Sequence, residues 1–152
     1  MSIRIAIHIS GRGFKVANFI IATHGRLAEG FYESVKFFNS QIENVHYMNA
    51  YVEHNDFEKD FIKKVKELSG SPLIVLTDIP GGSVNRIASK HLAAFGYLVI
   101  SGINLSTLLE LVFSPETINE ETIERVVTSS REQLVFMNKL IEEMEGKEFT
   151  ND

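Results

Sequence analysis

The chain has 152 residues, 44% of them hydrophobic and 23% charged, which is enough for one domain to bury a core without disulfides or structural metal. A net charge of −5 argues against a nucleic-acid partner, whose grip depends on neutralising phosphates. The lack of cysteine removes disulfides, thiolate nucleophiles and cysteine-based zinc sites, in keeping with a reducing compartment. There is no apolar run of the roughly 18 residues that a bilayer span requires and no secretory leader pattern, so a cytoplasmic protein is expected.

Residues 1–15, "MSIRIAIHISGRGFK", alternate apolar and polar before a Gly-Arg-Gly break. They read as an added or mis-started leader, or as an extra edge strand, and His8 receives no role. From residue 16 onward a single domain, 16–152, is expected. "VANFIIA" (16–22) has the pattern of a strand, and 27–38 that of a helix with Leu27, Phe31, Tyr32, Val35 and Phe38 at helical spacing. "NVHYMNAY" (44–51) reads as a second strand, and 56–68 as a helix with Phe57, Phe61, Ile62, Val65 and Leu68 on one face. "PLIVLTD" (72–78) is continuously apolar, as a strand covered on both faces must be.

A helix over 84–95, a strand "YLVISG" (97–102) and a short helix over 105–113 follow. The spacing then predicts one long amphipathic helix over 120–145, and "EEMEGKEFTND" reads as a frayed tail. This alternation of strands and helices predicts an α/β fold: an open, doubly wound, mostly parallel sheet in the order 2-1-3-4 with helices on both faces.

In such sheets ligands bind beyond the carboxyl ends of the strands, at the point where strand order reverses. Three loops stand out there: "THGR" after strand one, "TDIPGGSVN" after strand three and "SGINLS" after strand four. With strands one and three adjacent, about 4.8 Å apart, His24 and Asp78 leave the same edge side by side. A carboxylate on one ring N–H sets the imidazole tautomer, exposes the other nitrogen as a nucleophile and balances the charge that appears when that nitrogen is substituted. Gly25 and Gly81-Gly82 permit close backbone approach, Ser83 supplies a hydroxyl, and helices begin just beyond both loops. Such helix starts favour an anion, so phosphoryl transfer suits the site better than acyl transfer. No carboxylate cluster implies a metal. Taken singly, each feature has a plainer reading: a capping His, an Asp turn former, an N-cap serine. Their convergence on adjacent strand ends carries the case. His46, in mid-strand, His54, in a turn, and His91, on a helix, read as structural or exposed.

"FIIATHGRLAEGF", "IVLTDIPGGSVNRIA" and "VISGINLSTLLELV" together resemble the enzyme IIA domain of the mannose/fructose/sorbose family of the bacterial phosphoenolpyruvate-dependent sugar phosphotransferase system, over about residues 16–145. The resemblance implies a phosphotransferase component that takes a phosphoryl group from phospho-HPr on a histidine and passes it to enzyme IIB, which serves a membrane sugar permease. His24 would be the phosphorylated residue and Asp78 its orienting partner. Thr23, Gly25, Gly82 and Ser83 would cradle the phosphoryl group, with Asn104 at the rim. No cofactor is implied, and a homodimer is expected. Two positions depart from the family pattern, Val84 and Ser106, where proline usually stiffens a helix start.

A phosphoryl-donor domain of a dihydroxyacetone kinase system shares the fold and the histidine, although Ser rather than Gly25 is typical there. A non-catalytic phosphorylation-sensing domain and a receiver-like domain phosphorylated on Asp78 are further alternatives. Receivers carry paired acids after strand one, where this chain has Thr23-His24-Gly25.

Overall fold

The computed structural model describes residues 16–148. The reading of residues 1–15 as leader or extra strand therefore lies outside the described residues. In chain order the elements are β1 Asn18–His24, α1 Leu27–Phe38, β2 Val45–Ala50, α2 Phe57–Glu67, β3 Leu73–Thr77, α3 Ser83–Phe95, β4 Leu98–Ser101, α4 Leu105–Val112, α5 Glu120–Ser130 and α6 Met137–Glu148. The four strands form one all-parallel sheet in the order β2-β1-β3-β4, the α/β arrangement that the alternating pattern predicts.

Successive side chains of a strand point to opposite faces, and both faces here are buried. Phe19 and Ile21 of β1, Ile74 and Leu76 of β3 and Ile100 of β4 pack with Ala28 and Val35 of α1, Leu108 and Leu111 of α4 and Val126 of α5. Their neighbours Ile20, Ala22, Leu73 and Val75 face the other way, against Phe57, Phe61 and Val65 of α2 and Val84 and Ala88 of α3. Burial on both faces is what makes β1 and β3 rigid mounts for whatever follows them. Tyr97, buried at the entry to β4, donates its hydroxyl to the Ala88 carbonyl, and burial pushes its phenol well above the usual range.

The helix starts are set by local chemistry. Asp56 caps α2 through Lys59 N–H, Asn104 caps α4 through Thr107 N–H, and Asn119 caps α5 through Thr122 N–H. Gly96 ends α3 at φ 69°, a left-handed position where glycine bears no Cβ penalty.

The expected helix over 120–145 is corrected by the structure. α5 ends at Ser130, residues Arg131–Gln133 tighten into a 3-10 turn, Leu134 is extended, and α6 begins afresh at Met137. Apolar residues resume at Leu134 about two helical turns after Val127, in the same phase, so periodicity alone misses the break. Thr128, Ser129 and Ser130 are weak helix formers that offer their backbone other hydrogen bonds. Ser130 Oγ lies 2.6 Å from Thr107 Oγ1, which ties the end of α5 to the start of α4. α6 carries the chain helically to Glu148, into the stretch read as a frayed tail.

Candidate active site

β1 and β3 lie side by side in parallel, with Ala22 opposite Thr77, so the residues that follow emerge at one edge of the sheet. His24 is the last residue of β1 rather than the first of the turn. Its Nδ1 lies 2.9 Å from Asp78 Oδ2, and the same oxygen accepts the backbone N–H of His24 at 2.9 Å. Asp78 Oδ1 accepts the Ile79 N–H at 2.9 Å. Burial pushes the Asp78 carboxyl up. The His24 backbone N–H, the imidazole and the Ile79 N–H more than offset it, so the group is held below the usual carboxylate range. With an ionised acceptor at Nδ1, that nitrogen carries the ring proton and Nε2 presents its lone pair. The His24 side chain is 37% exposed and that of Asp78 only 9%, so the imidazole is reachable from solvent and its partner is shielded.

Nε2 lies 3.0 Å from Ser83 Oγ, at the first residue of α3. Gly82 is the N-cap, and a Cβ there would meet Ile79 O at 3.2 Å and His24 Cε1 at 3.3 Å. A glycine lets α3 start this close to the ring without pushing either neighbour aside. Gly25, at φ 59°, turns the chain out of β1 in the left-handed region, and its N–H donates to the Ala50 carbonyl. α3 has no side-chain cap. α1, by contrast, has its first turn taken up by the protein: Thr23 Oγ1 accepts from Ala28 N–H at 2.6 Å, and Asn49 Oδ1 from Glu29 N–H at 3.2 Å. α3 thus offers its first N–H groups to an anion without a competing side-chain cap.

His24, Asp78, Gly82 and Ser83 are brought together as the sequence reading expects, with Gly25 in the adjoining turn. Thr23 and Asn104 are placed otherwise. Thr23 is fully buried, and its hydroxyl accepts the Ala28 N–H at the start of α1 and donates to the His24 carbonyl. Asn104 Oδ1 accepts from both Thr107 N–H and Thr107 Oγ1, so this oxygen caps α4 beyond β4.

Three residues at this edge escape the sequence reading. Asn49, the penultimate residue of β2, holds α1 through Glu29 on both its amide atoms. Asn85 accepts from Gly81 N–H and donates to Thr77 Oγ1, which stiffens the loop from β3 to α3. Its place three residues after the N-cap is the signal that could have found it. Tyr51, just past β2, donates toward Ser83 Oγ at 3.1 Å and sets its ring 5.9 Å from that of His24. An aromatic residue leaving the strand next to β1 was the available signal.

The sequence model of the PTS system fructose IIA component family matches residues 18–129. The chain belongs to this family. Three solved structures from the same system resemble this IIA chain in fold as well as in sequence. One, from Klebsiella pneumoniae and assigned to a phosphoenolpyruvate-dependent sugar phosphotransferase system permease, is 27% identical, covers 87% of this chain and 98% of its own, and superposes with a TM-score of 0.75. A phosphotransferase system component EIIA from Streptococcus agalactiae is 27% identical over 82% of this chain and 99% of its own, with a TM-score of 0.70. A PTS IIA protein associated with a fucose utilization operon in Streptococcus pneumoniae is 26% identical over 86% and 99%, with a TM-score of 0.74. No curated protein matches the chain significantly. The family places this IIA chain in sugar phosphotransfer. No helix among its described residues is long and apolar enough to cross a membrane.

Proposed function

We propose that the chain is a cytoplasmic phosphocarrier of the mannose family, accepting a phosphoryl group from phospho-HPr on His24 and yielding it to enzyme IIB for a membrane sugar permease. The observation that supports this most is the placement of His24: Nδ1 is bound by Asp78, and Nε2 is directed at Ser83 where α3 begins.

In the forward step the Nε2 lone pair forms the N–P bond while the bond from phosphorus to the donor breaks, its electron pair remaining on the donor. The imidazole becomes a cation with its proton still on Nδ1, and the Asp78 carboxylate 2.9 Å away balances that charge. Ser83 turns its hydroxyl from Nε2 to a phosphoryl oxygen, and the dipole of α3 favours the anion. Transfer to IIB is the reverse of these steps. Partial exposure of the imidazole serves this reversibility, because both donor and acceptor proteins must reach it. The receiver-like alternative fits less well, since Asp78 is the shielded member of the pair and both its oxygens already accept N–H groups.

Incubating the full chain with enzyme I, HPr and phosphoenolpyruvate, then mapping the modified peptide by mass, tests the assignment. Phosphate that is labile in acid and stable in base is expected on the peptide containing His24, and none on a His24→Ala variant. Full labelling of that variant on another histidine would overturn it. Passage of the label to a IIB protein rather than to a dihydroxyacetone kinase subunit tests the mannose-family reading.

A further inference from the structure

The chain of hydrogen bonds through His24 does not end at Ser83. With the Nδ1 proton on the Asp78 side, Nε2 is an acceptor only, so the hydrogen in the 3.0 Å contact comes from Ser83. A hydroxyl has one hydrogen, so the Ser83 oxygen must be the acceptor in its 3.1 Å contact with Tyr51, and the phenol is the donor. The order is thus Tyr51 to Ser83 to Nε2, with Nδ1 to Asp78 beyond. Tyr51 is held there at a cost. Among the described residues it is the only non-glycine at positive φ, 63°, a region that bulky side chains rarely occupy. Its ring also leans on Phe57 at the start of α2, with centroids 6.2 Å apart, and Phe57 is buried in the core. The strained backbone and the ring contact together aim the phenol at the serine, although the residue as a whole is 39% exposed.

We infer that Tyr51 is a positioning residue for phosphoryl transfer at His24, acting through Ser83. This rests on the reading of His24 as the phosphorylated residue. By donating to the Ser83 oxygen, the phenol leaves the single Ser83 hydrogen two uses: Nε2 before transfer and a phosphoryl oxygen after it. A serine so oriented need not be recruited from free rotation at the moment the N–P bond forms, which is the advantage of a pre-set dipole. Tyr51 keeps its proton throughout, and no atom of it joins the bond that is made or broken.

The test compares wild type, Tyr51→Phe, Ser83→Ala and the double variant as full chains, by ¹⁵N NMR of the unphosphorylated imidazole and by single-turnover labelling from phospho-HPr. Tyr51→Phe keeps the ring and its contact with Phe57. It is expected to move the His24 Nε2 resonance toward that of an unbonded nitrogen and to slow labelling about fivefold, with half-saturation by phospho-HPr unchanged. In the Ser83→Ala background the same substitution should add nothing, because the phenol then has no relay to act through. An unmoved Nε2 resonance, or a loss in the double variant equal to the product of the two single losses, overturns the inference about Tyr51 while leaving His24 as phosphocarrier intact. A moved resonance in a protein whose His24 takes no label overturns the phosphocarrier reading, and the transfer role of Tyr51 falls with it.

Discussion

The carboxylate of Asp78 accepts three N–H groups through two oxygens, and what it does to its neighbours follows from that density of donors. Its folded pKa lies below the unfolded value, so the stabilisation it provides is complete above about pH 4 and is lost as the pH falls through the folded value. Asp78→Asn is expected to remove that acid-side loss, seen as a flatter plot of urea midpoint against pH between about 5 and 2. The same substitution replaces a charged acceptor of the Nδ1 proton by a neutral amide and should slow labelling by phospho-HPr about 10- to 100-fold. Gly82 meets the ring at Cε1, between its two nitrogens. Gly82→Ala places a methyl group against Ile79 O and His24 Cε1, and the ring is the member free to give way. We expect a loss of about 1–3 kcal/mol in thermal or urea unfolding, together with impaired labelling. That a glycine stood at this point was visible in "IPGGS". That the imidazole is what it makes room for was not, because the contact spans residues far apart in the chain.

At the scale of elements, Thr23 near the end of β1 and Asn104 beyond β4 both serve helix starts. Thr23→Val is close to isosteric and leaves the buried Ala28 N–H without its acceptor, so it is expected to cost about 1–3 kcal/mol of stability by urea unfolding. Asn104→Ala should cost about 1 kcal/mol through the start of α4 while leaving the labelling rate of His24 unchanged. A fall in that rate would show that Asn104 works at the rim after all. In β2, His46 has its Nε2 buried without a hydrogen-bond partner among the described residues. Burial first, then Lys64, hold its pKa below 6.5, with Glu67 opposing. The unfolded chain therefore takes the proton more readily, and stability contributed by neutral His46 is present above about pH 6.5 and declines below it. His46→Phe should flatten that decline between about pH 6.5 and 5, as read from melting temperatures. These roles were hard to see in advance, because a cap and a ligand group draw on the same small set of residues. Only the partner found by the side chain distinguishes them.

At the scale of the whole molecule, one stretch near the end of the described residues leaves its large apolar side chains uncovered. Leu134, Phe136, Met137, Ile141 and Met144, at the end of the chain's described residues, are all exposed, which is costly for so many large apolar side chains in one stretch. A homodimer covering them is expected. Light scattering should give a dimer mass for the wild type and a monomer mass for a Leu134→Glu, Phe136→Glu variant that still labels on His24. Hydrophobic periodicity and glycine breaks by themselves determined the order of elements, the parallel sheet and the strand ends to inspect, because those patterns report local geometry and burial on two faces. The residues of the His24, Asp78 and Gly82-Ser83 group were legible for the same reason: the first two stand where a strand meets a turn and the last two where a turn meets a helix. The break between α5 and α6, the commitment of Thr23 and Asn104 to helix starts and the arrival of Tyr51 at Ser83 were decided only by tertiary structure. Each depends on which side chain meets which across the fold, and one-dimensional spacing carries no record of those encounters.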